Sequence, residues 1–136
     1  MSPGASPMSG VQSWVTPYVG LPWDPVTNHC WAFCRKVWRE RFGWEVAELD
    51  VSALDPRRTR RQFEEHPEYA RWTPVTDPRE GDAVIMAQGA RASHIGLWIT
   101  PGRVLHSVRG IGSICVPVNR LRDQGYKIAG YYRRAI

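Results

Sequence analysis

Lysine is nearly missing from this chain of 136 residues, which holds two lysines against sixteen arginines. Cysteine is scarce as well. There are three, an odd number without the spacing of a disulfide framework, so free thiols in a reducing compartment are expected. No apolar run is long enough to span a membrane. The opening stretch MSPGASPMSGVQSWVTPYVGLPWDP lacks a basic start, a continuous apolar run and a small-residue cleavage pattern. No secretory signal is therefore expected, and synthesis and folding in a cytoplasm follow from that. A phosphate-cradling glycine loop, a paired-carboxylate site, internal repeats and low-complexity linkers are all absent from the sequence.

What is present suits one globular domain over residues 1–136, with residues 1–10 as a flexible N-terminus. The 43% hydrophobic content and seven tryptophans are enough for a core. The net charge of +5 is densest at RRTRR, residues 57–61, which favours an anionic partner. Glu64, Glu65 and Glu68 follow directly and no zinc-finger or RNA-binding signature accompanies the run, so it reads as a solvated helix face. No nucleic-acid partner is expected.

A short helix near Val11 to Thr16 and a turn-rich loop through Pro22 and Pro25 lead into NHCWAFCRKVW, residues 28–38. From Cys30, apolar Trp31, Cys34, Val37, Trp38 and Phe42 recur at helical spacing, charged residues take the other side, and Gly43 supplies a stop. Thr27 or Asn28 can cap this helix, placing Cys30 in its first turn. A second helix is expected from Asp55-Pro56 to about Glu65. Beyond TDPREGD come short β-rich runs, AVIM, SHIGLWI, RVLHSV, SICVPV and IAGYYRR, with TPGR and RGIGS as hairpin connections and a helical turn at Asn119 to Asp123. Helices followed by a meander of about five strands define an α+β domain, with N-terminal helices packed on a C-terminal antiparallel sheet.

A thiol in the first turn of a helix has unpaired backbone N–H groups and the positive dipole end to stabilise its thiolate, so Cys30 is the candidate nucleophile. Cys34 falls on the apolar stripe and Cys115 inside a strand, and both read as packing. A cysteine nucleophile needs a base and a group to orient it. His94 and His106 lie on consecutive strands that a short turn joins, which gives the chain Cys30, His94, His106. Two satisfied histidines on a half-buried sheet remain the alternative. His29 points away from Cys30 and reads as a loop or cap residue, and His66 as surface. Cys30, Cys34, His94 and His106 could also be counted as a zinc set, but Cys34 faces the apolar stripe, so no metal and no cofactor are expected.

These residues resemble the NlpC-type cell-wall peptidases, small papain-like cysteine peptidases that cut peptidoglycan stem peptides. Four blocks match in order: YVGLPW, HCWAFCRKVWRERFG, PREGDAVIM and SHIGLWITPGRVLHSV, followed by a GYYRR strand. The similarity spans about residues 11–134. It implies a papain-like fold, Cys30 as nucleophile, His94 as general base, His106 as orienting residue, and substrate contacts at Trp23 and Trp31. The implied substrate is the stem peptide, cut between D-glutamate and diaminopimelate or lysine. Three departures stand out: His29 where the family usually has Asp, Trp31 where Ser is common, and Trp23 at a lead-in tyrosine. The Cys-Trp pairing and the RKVWRERFG continuation look like the tail-associated branch carried by phages. That branch implies a tail-tip enzyme made in the bacterial cytoplasm and carried in the virion among tail-tip proteins. A structural tail protein with little activity, and a related thiol amidase or acyltransferase, are the alternatives.

Overall fold

The computed structural model describes residues 13–48, 65, 67–89 and 91–135. The expected helix at Asp55 to Glu65, the arginine run at 57–61, His66 and residues 1–10 lie outside these, apart from Glu65 itself. A 3-10 turn, Ser13–Tyr18, precedes helix α1, Cys30–Val37, which continues as one π-helical turn, Trp38–Phe42. Gly43 ends it in the left-handed region, at φ 70°. The cap differs from expectation. His29, not Thr27 or Asn28, caps α1, its Nδ1 accepting the Ala32 N–H at 3.3 Å. Asn28 is drawn away instead, its side-chain amide donating to the Pro22 carbonyl at 2.7 Å.

Among the described residues six strands follow rather than five: β1 Trp72–Val75, β2 Ala83–Gln88, β3 Arg91–Ile99, β4 Arg103–Val108, β5 Gly112–Pro117 and β6 Lys127–Arg134. They form one antiparallel sheet in the order β1-β6-β2-β3-β4-β5. The strand beyond expectation, β1, is four residues long and carries Pro74, which is tolerated because β1 pairs on one side only, with β6. A 3-10 helix at Val118–Gln124 occupies the place of the expected helical turn.

Alternation along the strands gives the sheet two buried faces. Ile95, Leu97, Ile99 and Leu105 pack with Phe33, Cys34, Val37 and Trp38 of the helical segment. Val84, Met86 and Val104 pack instead with Leu121 of the 3-10 helix, flanked by Trp98, Tyr126 and Tyr131. The second face thus has a cover that a helices-on-one-face arrangement does not include.

The PREGD block joins helix to sheet. Gly81 has φ +86°, and a Cβ there would lie 2.6 Å from the Phe42 ring. Its carbonyl accepts the indole N–H of fully buried Trp38 at 2.8 Å. Asp82 accepts the Arg79 N–H and both prongs of the Arg133 guanidinium, tying the start of β2 to β6. Glu68, expected on a solvated face, is instead 4% exposed. Its carboxylate takes Arg134 Nε at 2.9 Å, the Trp72 indole at 2.7 Å and the Ala47 N–H at 3.1 Å, because a buried charge must be paired.

Candidate active site

The loop from Tyr18 to His29 fixes where α1 begins. Ser113 of β5 holds it: the Ser113 hydroxyl donates to Tyr18 O at 2.6 Å and accepts from Leu21 N at 2.8 Å, while its backbone pairs with Gly20 and Leu21. Gly112 must be glycine here, since a Cβ would meet the Leu21 carbonyl at 2.7 Å. Asp24 turns the loop by accepting the Val26 and Thr27 N–H groups. Ser107 of β4 then donates to the Asn28 carbonyl at 2.7 Å, setting the first turn of α1 against the sheet.

Cys30 arrives there 7% exposed, between the helix start and β3. The backbone N–H groups of Ile95, Trp31 and Cys30 itself face its sulfur and favour the thiolate, but burial outweighs them and pushes the thiol up to about 11. The helix start alone does not make this a resting thiolate. Cys34 is fully buried in the core, and that burial raises its thiol well above the usual range, while Cys115 is half-buried on β5. All three cysteines are free.

His94 and His106 meet side by side, with His94 Nε2 2.8 Å from His106 Nδ1. The register that pairs Leu97 with Leu105 sets His106 across from Gly96, so His94 is its diagonal neighbour. Only glycine permits that closeness: a Cβ on Gly96 would lie 2.9 Å from the His106 Cβ. Burial, and then the neighbouring His106, hold His94 well below 6.5. Burial also takes His106 down to about 4, against a pull upward from the Gln124 side chain. With His94 Nε2 engaged, its Nδ1 is the nitrogen left for a thiol.

Two residues of this group carry no signal in the sequence. Tyr126 stacks on the His94 ring at 4.5 Å and 14°, meets His106 edge-on at 5.8 Å, and its hydroxyl is raised by burial and then by Cys30. Gln124 lies against His106. Both flank Gly125, which adopts φ 84° after the 3-10 helix. A Gln-Gly-Tyr triplet reads as a turn, and only the sheet order brings it over the two histidines.

The tryptophans part. Trp23 is half-buried with the Arg109 guanidinium 5.7 Å from its ring centre. Trp31, expected to contact substrate, is 4% exposed, donates to Ala47 O at 2.9 Å and packs edge-on to Trp38 in the core. Among the described residues no three His, Cys, Asp or Glu side chains converge as a metal site.

The family model for the NlpC/P60 family matches residues 16–128, most of the chain. This protein belongs to the NlpC/P60 family. Comparison with curated proteins gives no match. NlpC/P60 proteins are in general cysteine peptidases of the cell wall, which places this chain among peptidoglycan-directed hydrolases. No helix among the described residues of this NlpC/P60 domain is long and apolar enough to cross a membrane.

Proposed function

We propose that the protein is a cysteine endopeptidase that cuts peptidoglycan stem peptides, with Cys30 as nucleophile, His94 as general base and His106 as orienting group. The observation that carries this reading is the 2.8 Å contact between His94 Nε2 and His106 Nδ1, with the N–H of Ile95, next to His94 in the chain, facing the sulfur of Cys30 at the helix start. The thiol, raised to about 11, and His94, held below 6.5, are both neutral at pH 7. The proton therefore moves as sulfur attacks: the S–H proton passes to His94 Nδ1 while a bond forms from sulfur to the scissile carbonyl carbon. N–H groups around the start of α1 receive the oxyanion. The imidazolium then protonates the leaving amine as the C–N bond breaks, and water hydrolyses the thioester to return the thiol.

The bond is the one between D-glutamate and diaminopimelate or lysine, with Trp23 lining the substrate path. Delivery is by a phage tail tip; the Cys30-Trp31 pairing and the RKVWRERFG continuation support that reading. Purified protein incubated with peptidoglycan or a stem tetrapeptide should release peptide products. Cys30→Ala should lower the rate by about a thousandfold or more. Unchanged release by that variant would overturn the mechanism. Product masses separate hydrolysis, which adds water, from acyl transfer to a new amine.

A second reading, a structural tail component with little activity, draws on the 7% exposure of Cys30 and on Trp23 at the lead-in tyrosine. It predicts inactivity on every wall substrate and normal particle assembly by Cys30→Ala.

A further inference from the structure

One nitrogen of His106 is accounted for and the other is not. Nδ1 faces His94, whereas Nε2 is buried without a hydrogen-bond partner. Among the described residues one other buried side-chain atom shares that condition, Oε1 of Gln124. The two belong together. The Gln124 carboxamide lies against the His106 ring and favours its protonated form, although the contact is looser than an ordinary hydrogen bond.

The tautomers explain why this pairing matters. If His94 Nδ1 is to take the thiol proton, the His94 proton must sit on Nε2 and be donated to His106 Nδ1. Neutral His106 must then carry its own proton on Nε2, and a buried N–H needs an acceptor. With no acceptor, His106 can instead hold its proton on Nδ1 and donate it to His94 Nε2. That moves the His94 proton to Nδ1, where it blocks the thiol.

We propose that Gln124 is a positioning residue of this site: its carboxamide oxygen accepts the His106 Nε2 proton and thereby fixes the tautomers of both histidines. The proposal rests on the reading of Cys30 and His94 given above. The chain supports it locally, since the 3-10 helix ends at Gln124, Gly125 turns at φ 84°, and Tyr126 stacks on His94. The turn thus lays one residue on each ring, the amide on His106 and the phenol on His94.

The test uses the full chain. Nitrogen-15 NMR of wild-type histidine rings should show His106 protonated on Nε2 and His94 unprotonated on Nδ1. A His106 proton on Nδ1 would overturn the proposal whatever the variants do. Gln124→Leu, which removes the acceptor, should lower kcat on a stem tetrapeptide about tenfold and leave KM within about twofold. Gln124→Glu, which keeps an acceptor, should retain kcat and move the acidic limb of the pH profile upward. Wild-type kcat and ring signals in Gln124→Leu, or equal losses in both variants, would also overturn it. Full activity in Cys30→Ala would instead remove the catalytic reading, and the ring tautomers would still report on Gln124.

Discussion

A thiol near 11 beside imidazoles held below 6.5 makes the resting site a neutral pair rather than a thiolate and imidazolium. The consequence is chemical. Iodoacetamide should alkylate Cys30, located by peptide mass mapping, slowly at pH 7 and faster throughout the alkaline range; a rate plateau below pH 8 would contradict the neutral pair. The histidines also couple to stability. His106 is depressed from 6.5 to about 4 when folded, so between those values the unfolded chain binds the extra proton. Its contribution is complete above pH 6.5 and is lost as pH falls through about 4, on the order of 3 kcal/mol. Urea unfolding at pH 7 and pH 4.5 should show that loss, and His106→Asn should reduce it while leaving the part that His94 contributes. That Cys30 opens a helix and that His94 and His106 meet was legible from position: a helix start and two strands joined by a short turn. Gln124 and Tyr126 were not, because their role depends on a distant turn folding over those strands.

Among the elements, close approaches that only glycine allows set the geometry. Gly96→Ala would push its Cβ to 2.9 Å from the His106 Cβ and 2.8 Å from Val104 Cγ1. Since β3 and β4 are backbone-held, the expected cost is about 1–3 kcal/mol with a larger fall in activity than in stability. Thermal unfolding beside stem-peptide cleavage checks this; wild-type values for both would show that the strands can separate freely. Periodicity made α1 and five strands readable. It missed β1, where Thr73-Pro74 offers little strand character and pairing with β6 decides the matter. It missed the π-helical turn for a related reason, since Trp38 is placed by its bond to Gly81 O, not by local preference. The cap went to His29 because Asn28 was needed by Pro22.

Across the whole molecule, the buried Glu68 to Arg134 pair binds the segment before β1 to the last strand, with Arg134 also donating to the Glu45 carbonyl. Burial raises the Glu68 carboxyl, but Arg134, the Ala47 N–H and Trp72 outweigh it and leave it below 4.5. Its stabilisation is complete above pH 4.5 and is lost as pH falls through the lower folded value. Glu68→Gln leaves the guanidinium buried without a counter-charge, and chemical denaturation should show a loss of about 3–5 kcal/mol. A loss under about 1 kcal/mol would mean that solvent reaches the pair.

The position of β6 has a consequence for how the protein comes into being. It is last of the six described strands yet lies between β1 and β2 in the sheet. A nascent chain leaving the ribosome therefore displays the β1 and β2 edges without their shared partner until residues 127–134 emerge. Tyr126, which covers His94, emerges just ahead of that strand. The ring that covers His94 and the strand that joins β1 to β2 are thus made together, after every other strand of the sheet described here.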